Sequence, residues 1–264
     1  MGRVHAPEIE DEPWCPRVLR DGLTDFLHIA SDTFKLYDGA LDDVSGLLQR
    51  HGHRQIVDLC SGGGGPVLRA RRLIAARAPF DDDVTVTLTD LYPNLPAFDA
   101  ASASDVRVHA RRTPVDATNV PDDLVGVRTM WNALHHLRPE LARRVVEDAA
   151  RKRQPFIAVE VVERRPQTLA MIAGVPIATL ALTPLARQLS IARLALTYGV
   201  PVIPLAVLWD GLMSCLRAYS VEELRALVDG VGDDGYAFRV ERRDVSWLPA
   251  RLTVLIGEPL NKST

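Results

Sequence analysis

The sequence predicts a doubly wound α/β domain that carries one apolar helical insertion. Short β-branched runs alternate with helix-like segments between residues 55 and 161, and four glycines follow the first of these runs. Two further strand-like runs close the chain. Such alternation favours parallel pairing, with helices covering both faces of the sheet. We therefore expect a seven-stranded sheet that is mostly parallel and ends in a C-terminal antiparallel hairpin.

The predicted elements follow one another in a regular order. Residues 1–50 hold an acidic, proline-containing arm and two helices, which we interpret as a lid, and residues 51–264 form the main domain. Ser220 and Glu223 have the spacing of a capping box at the start of a late helix. Strands are predicted at 55–60, 84–89, 106–111, 124–131, 155–161, 236–243 and 251–257, and main-domain helices at 66–78, 139–153 and 219–228.

Composition limits the classes of partner. The 264 residues are 47% hydrophobic and 25% charged, which is enough for one substantial core. A net charge of -3 gives no global attraction to nucleic acid, so we expect no nucleic-acid partner. Cys15, Cys60 and Cys215 lack the spacing of a zinc site or a disulfide framework, so we predict no metal and a reducing, cytoplasmic location. The acidic N-terminus does not resemble a secretory signal.

An apolar segment at about 168–212 exceeds what a doubly wound domain needs. The stretches 168–186 and 194–209 contain no charged residue, and Arg187 and Arg193 lie between them. The first stretch, with 19 residues, approaches the roughly 20 residues that cross a bilayer core, but prolines interrupt both stretches. Two interpretations remain open: a hairpin that dips into a membrane from one side, with the arginines at its tip or near the head groups, or a helical cap that packs against the sheet edge or a second subunit.

The segment from Ile56 to Gly65 contains the most informative motif. A strand that ends in a glycine turn exposes backbone N–H groups to a ligand, and the following helix presents its positive end. Nicotinamide, flavin and S-adenosylmethionine folds all use such a turn, so the motif alone is weakly specific. Polar residues also follow the next three strands, namely Asp90, Asp116 and Asn132.

In this order the motifs resemble those of the class I S-adenosylmethionine-dependent methyltransferases of small-molecule type, with a Rossmann-like fold. The match runs from about Ile56 to Val162. Cys60 departs from the family pattern, which has its first glycine there, and Gly65 extends the turn. The resemblance implies the cofactor S-adenosylmethionine, held at its methionine moiety by Asp58, Cys60, Ser61, Gly62, Gly63 and Gly64, at its ribose by Asp90, and at its adenine by Leu91, Asp116 and Ala117, with Asn132 lining the methyl-transfer pocket.

Each of these positions also has a purely structural interpretation. Asp90 could form an Asx turn or cap a helix, Asp116 could form a simple turn, and Asp58 could bond the glycine-turn amides. A nicotinamide oxidoreductase is disfavoured because Val67 stands where its fingerprint has a third glycine or alanine. The tetrapeptide of amino-group DNA methylation is absent from the sequence.

Candidate catalytic groups follow the fourth and fifth strands. In-line methyl transfer needs alignment of the acceptor, and it needs a base only when the acceptor must lose a proton. His135, His136 and Glu160 are the candidates for this work, although a histidine here could equally pack against or cap the next helix. Glu163 could simply pair with an arginine such as Arg164.

The acceptor is predicted to be lipophilic. The insertion leaves the carboxyl end of the fifth strand, where doubly wound folds bind ligands, and it would supply an apolar wall there. Phe34 and Tyr37 could cover the substrate, or they could belong to the core. We therefore expect a methyltransferase acting on a lipophilic small molecule or lipid. The alternative is a non-catalytic membrane-associated or dimerising module that retains the fold.

Overall fold

One seven-stranded sheet organises the chain. The computed structural model describes residues 2–77, 79–80, 82–186, 189–232, 235–245, 248 and 250–260. The strands are β1 (Gln55–Asp58), β2 (Thr85–Leu88), β3 (Val108–Ala110), β4 (Val127–Trp131), β5 (Phe156–Glu160), β6 (Tyr236–Asp244) and β7 (Arg251–Pro259). Their order is β3-β2-β1-β4-β5-β7-β6, with the first five parallel and β7 antiparallel to both β5 and β6. This arrangement confirms the predicted sheet and its terminal hairpin.

The helices cover both faces of this sheet. In chain order they are α1 (Arg17–Phe34), α2 (Leu41–Arg50), α3 (Gly65–Ala75), α4 (Leu95–Ser104), α5 (Pro139–Arg151), α6 (Pro166–Ala173), α7 (Val175–Leu182), α8 (Ile191–Leu194), α9 (Val202–Arg217) and α10 (Val221–Val228). The core on one face includes residues of α2, α3 and α4, and the core on the other includes residues of α5 and α10. Both β4 and β5 are buried along their whole length, as central parallel strands require.

The predicted start of α10 is confirmed in atomic detail. The Ser220 hydroxyl accepts the Glu223 backbone N–H at 3.1 Å, and the Ser220 N–H donates to the Glu223 carboxylate at 2.7 Å. Two backbone donors that have no partner within the helix are thereby satisfied.

The N-terminal arm lies as a strap across α9. The backbone N–H of Val4 donates to the Leu216 carbonyl at 3.0 Å. The Asp210 carboxylate accepts the backbone N–H groups of Ile9 and Glu10 at 2.6 and 3.0 Å. The arm therefore has a defined course, and that course ends over the carboxyl edge of β4.

The insertion forms α6 to α9, with a 3-10 turn at Thr183–Leu185 and a π-helical turn at Ala195–Gly199. Arg193 is buried and forms an ion pair with Asp25 of α1 at 2.5 Å, so its predicted place at the tip or near head groups is wrong. Burial of the guanidinium is tolerated because a carboxylate of α1 meets it. Arg187 lies outside the described residues.

No described helix is by itself both long and apolar enough to cross a membrane. Two pairs of helical segments reach that length and composition only when joined, and both are sharply bent. Pro166–Ala173 meets Val175–Leu185 at 42°, and Ile191–Gly199 meets Val202–Arg217 at 73°.

Candidate cofactor and catalytic site

The glycine turn lies at the point where the strand order reverses, because β2 and β4 flank β1 on opposite sides. Cys60, Gly62 and Gly64 have left-handed backbones, with φ of +55°, +52° and +75°. Cys60 thus adopts a left-handed conformation that favours glycine, at a cost of about 1–2 kcal/mol for a residue with a Cβ. Burial raises the pKa of its thiol to about 12, so the thiol stays protonated at neutral pH.

Ser61 ties this turn to the end of β2. Its backbone N–H donates to the Thr89 carbonyl at 3.0 Å, and its hydroxyl donates to the Asp58 carbonyl at 3.0 Å. The same hydroxyl accepts the Thr89 N–H at 3.1 Å. The turn and the end of β2 are therefore held as one rigid edge.

Asp90 faces the glycine turn across this edge. Its Oδ2 accepts the Gly62 N–H at 3.0 Å, and its Oδ1 accepts the Tyr92 N–H at 2.9 Å, so the predicted Asx turn forms as well. Gly62 is exposed, and a Cβ built on it would meet no atom within 4 Å. Leu91 is also exposed beside the carboxylate. Doubly wound folds have a ligand-binding crevice at the point of strand-order reversal, and the Asp90 carboxylate and the Gly62 backbone lie at that exposed edge of the sheet.

Helix α1 covers the other half of the turn. A Cβ on Gly63 would lie 3.0 Å from the Thr24 methyl group, and one on Gly65 would lie 2.4 Å from the His28 ring. The bend is therefore closed at Gly63–Gly65 and open at Gly62. This is the side on which we predicted a lid.

Asp58 is fully buried at the end of β1. Its Oδ1 accepts the Thr129 hydroxyl at 2.6 Å, which joins β1 to β4. Burial raises the pKa of this carboxyl to about 7, and the charge of Asp90 adds to the effect, while the hydrogen bonds from Thr129 and Ser61 oppose it. The structural role of Asp58 is thus established, and its contact with the methionine moiety remains a prediction.

Asp58→Asn is expected to stabilise the protein above pH 7. The folded pKa lies above the unfolded value of about 3.9, so the wild-type protein loses stability as pH rises from about 4 to 7 while the variant does not. The gain at pH 8 should be on the order of 2 to 4 kcal/mol, and near zero at pH 4. Urea unfolding across this pH range measures it, with exposed Asp83→Asn as the control. A constant difference between Asp58→Asn and wild type at all pH values would contradict the assignment.

The other two predicted cofactor contacts have local partners. The exposed Asp116 accepts the Thr118 N–H at 2.8 Å, which is the simple turn considered above, and Ala117 behind it is buried. Asn132 has a left-handed backbone, with φ of +51°, and its Oδ1 accepts the Val161 N–H at 3.2 Å. Both side chains therefore shape the crevice edge, and their cofactor contacts remain predictions.

His135 and Glu160 form a buried pair behind this edge. The His135 Nδ1 lies 2.5 Å from Glu160 Oε2, and Glu160 Oε1 accepts the Leu134 N–H at 2.8 Å. Burial lowers the pKa of His135, and the charge of Glu160 only partly offsets it. Glu160 therefore contacts a candidate base. Glu163 instead forms ion pairs with two arginines, Arg165 and Arg242, each at 3.2 Å.

His136 faces the arm rather than the crevice. Burial disfavours its charge, but the hydrogen bond to Asp11 and the charges of Glu8 and Asp11 outweigh burial and raise its pKa to about 9. Its Nδ1 lies 3.2 Å from Asp11 Oδ1. His135, by contrast, has a lowered pKa and so is the better candidate for a neutral base.

Three residues of this site escaped the sequence reasoning: Glu8, Asp11 and Arg217. Glu8 Oε1 lies 3.9 Å from His135 Nε2, and Arg217 Nη1 lies 3.1 Å from Glu8 Oε1 and 2.6 Å from Asp11 Oδ2. More than 100 positions separate the arm from either the histidines or Arg217. In the sequence, only the acidic composition of the arm pointed to these contacts.

The two residues predicted to cover the substrate, Tyr37 and Phe34, lie in different hydrophobic clusters. Tyr37 is buried in the sheet core, where its ring meets Trp131 edge-on with centroids 5.7 Å apart. Phe34 packs, half-buried, against the cluster that joins α1 to the insertion. The core interpretation therefore holds for Tyr37, and a substrate contact for Phe34 remains a prediction.

No protein-family model matches the sequence, and a search of curated proteins finds no significant match. Solved structures do match. An O-methyltransferase family protein from Burkholderia thailandensis is 17% identical, with a TM-score of 0.51 over 90% of this chain and 59% of that protein. The plantazolicin methyltransferase, solved with S-adenosylhomocysteine, is 10% identical, with a TM-score of 0.52 over 91% and 97%.

A third structure is an O-methyltransferase from neocarzinostatin biosynthesis, solved with S-adenosylmethionine and 2-hydroxy-5-methyl naphthoic acid. It is 16% identical, with a TM-score of 0.52 over 92% of this chain and 59% of that protein. The chain thus spans about three fifths of two of these proteins. At such identities the likeness establishes architecture: the chain has the fold of the class I S-adenosylmethionine-dependent methyltransferases.

Proposed function

We propose that the protein is an S-adenosylmethionine-dependent methyltransferase that acts on a small molecule. One observation carries the proposal: the Asp90 carboxylate and the Gly62 amide meet at 3.0 Å beside an open crevice at the strand-order reversal. A carboxylate in this position accepts ribose hydroxyls, and a glycine turn without side chains lets a polar tail approach the backbone closely. The solved structures of the same fold that hold S-adenosylmethionine or S-adenosylhomocysteine support this choice of cofactor.

Residues of this chain suggest how methyl transfer would be assisted. The cofactor supplies the methyl group, and the protein must align the acceptor and exclude water. We propose that His135, which Glu160 contacts at 2.5 Å, takes a proton from the acceptor. Because Glu8 faces its Nε2, this step requires the arm to move away from the β4 edge.

Calorimetric titration of S-adenosylhomocysteine into the full chain tests the cofactor assignment. We expect one saturable site, and release of S-adenosylhomocysteine when the protein is incubated with S-adenosylmethionine and a lipid extract. Absence of binding at millimolar ligand would refute the proposal. Binding without turnover on any acceptor would leave a cofactor-binding protein that does not transfer methyl groups.

The acceptor is proposed to be lipophilic, and the insertion to approach a membrane or a twin subunit. Ile177 and Ile191 of the insertion are 74% and 88% exposed, and Val200 and Leu205 are also exposed. Several exposed large apolar side chains within one insertion favour an interaction surface there. The buried side of the same insertion packs on Val162, just past β5, and so supplies the apolar wall.

The double variant Ile177→Gln and Ile191→Gln is expected to lose co-sedimentation with anionic lipid vesicles by several-fold, because it removes apolar area that would enter the bilayer. Val106→Gln, which changes an 86% exposed residue beside β3, is the matched control and should behave as wild type. Unchanged sedimentation together with a shift from dimer to monomer would instead assign the surface to a second copy.

A non-catalytic module is the second candidate, favoured by the burial of His135 beneath Glu8. It predicts that Asp90→Ala preserves cellular function while deletion of residues 168–212 abolishes it. The methyltransferase proposal predicts that either change abolishes function.

A further inference from the structure

Glu8, His135 and His136 bring three metal-ligating side chains together beneath the arm. One ligand atom from each lies within 4.8 Å of the other two. Glu8 Oε1 is 3.9 Å from His135 Nε2, and Glu8 Oε2 is 3.7 Å from His136 Nε2. Donor atoms of a tetrahedral zinc ion lie about 3.3 Å apart when the bonds are about 2.0–2.1 Å, so binding would draw the three side chains closer together by up to about 1.5 Å.

The opposite nitrogen of each histidine ring is held by a carboxylate. Glu160 meets His135 Nδ1 at 2.5 Å, and Asp11 meets His136 Nδ1 at 3.2 Å. Metal-binding histidines usually donate their second ring N–H in this way, which fixes the tautomer and directs the other nitrogen at the metal. Both Nε2 atoms are thus oriented toward Glu8.

The same atoms lack hydrogen bonds. Within the described residues, His135 Nε2 and both Glu8 oxygens are buried and have no hydrogen-bond partner, and both side chains are almost wholly buried. Arg217 Nη1 lies 3.1 Å from Glu8 Oε1 as an ion pair without hydrogen-bond geometry. Buried polar atoms in native proteins are normally satisfied, so these point to a missing partner.

The charge around the cluster has the sign that a cation needs. Among the described groups in contact with the three side chains, Glu8, Asp11 and Glu160 are acidic and Arg217 is basic. Metal ligation requires neutral imidazoles, so His136 must release the proton that its raised pKa of about 9 retains at neutral pH. In that state three carboxylates face one guanidinium, which leaves a local excess of two negative charges. A divalent ion would balance that excess.

We propose that Glu8, His135 and His136 bind one divalent transition metal ion, with zinc the best fit to two imidazoles and one carboxylate. The ion fastens the N-terminal arm to the end of β4 and satisfies the buried donor atoms. The site shares His135 and the arm with the proposed methyltransferase mechanism, so the ion must leave before His135 can act as a base, whereas metal binding itself does not require that activity.

Titration of Zn²⁺ alone into chelator-treated full-length protein tests the site. We expect one equivalent bound per chain, with a higher melting temperature because the ion binds only the folded state. Glu8→Gln should weaken binding at least 100-fold, whereas Glu12→Gln, a carboxylate of the same arm outside the cluster, should not. No uptake by wild type, or equal uptake by Glu8→Gln, would overturn the proposal.

X-ray absorption at the zinc edge provides a measurement that does not depend on a variant. The expected spectrum shows two imidazole ligands and oxygen ligands, without sulfur. Sulfur ligands, or an all-oxygen shell typical of a surface ion, would overturn the assignment even if Glu8→Gln failed to fold. Calorimetric titration of S-adenosylhomocysteine into the same protein distinguishes this proposal from the proposed function. Zinc binding and cofactor binding are measured separately, so one can fail while the other succeeds.

Discussion

Asp90→Ala is expected to weaken binding of S-adenosylhomocysteine by at least 100-fold while the protein stays folded. The Asp90 carboxylate faces the open crevice and accepts the Gly62 N–H at 3.0 Å. Each hydrogen bond to a charged group contributes about 1.5–3 kcal/mol, and two ribose hydroxyls can use this carboxylate. Loss of about 3 kcal/mol or more corresponds to a factor above 100 in Kd. Calorimetry measures that loss directly.

Two further variants sharpen this result. Asp99→Ala removes an exposed carboxylate that pairs only at the surface with Arg112, and it should bind the cofactor normally. Asp90→Asn keeps an acceptor oxygen but loses the charge, and should lie between Asp90→Ala and wild type. Equal affinity of Asp90→Ala and wild type, with matching circular dichroism, would remove Asp90 from the cofactor site.

Asp148→Asn is expected to lower the free energy of unfolding by about 3–5 kcal/mol, the largest effect on stability that we predict. Asp148 and Arg128 are each 1% exposed, and Asp148 Oδ2 accepts from Arg128 Nη1 at 2.8 Å and from the Val120 N–H at 3.2 Å. The amide preserves size but leaves the guanidinium of β4 buried without its counter-charge. Urea denaturation at neutral pH measures the loss.

The double variant Arg128→Met and Asp148→Leu should recover part of that stability, because a buried ion pair can often be replaced by apolar residues at little net cost, although the buried Val120 N–H still loses its acceptor. Asp123→Asn, in an exposed pair with Arg111, should change stability by less than about 1 kcal/mol. If Asp148→Asn behaved like Asp123→Asn, the buried pair would contribute little to folding.

Much of the fold could be predicted because its signals are local. The β-branched runs gave all seven strands to within a few residues, and Ser220 with Glu223 gave a helix start that forms as expected. The first glycine turn and Asp90 were also found correctly as neighbours, since parallel strands that are adjacent in the sheet end at the same edge. The prediction failed for Arg193, because the sequence around an arginine in a linker does not indicate which carboxylate the arginine will contact in the folded protein.

Short periodic runs, turn-forming glycines and helix caps are patterns of residues that are neighbours in the chain. The sequence by itself therefore determined the sheet, its hairpin and the location of the crevice. The placement of Glu8 over His135, of Arg193 against Asp25 and of Asp148 against Arg128 was decided only by the tertiary structure. These contacts join residues 20 to 168 positions apart. No local preference encodes them, because each depends on burial and charge that exist only after the helices and the arm have packed around the sheet.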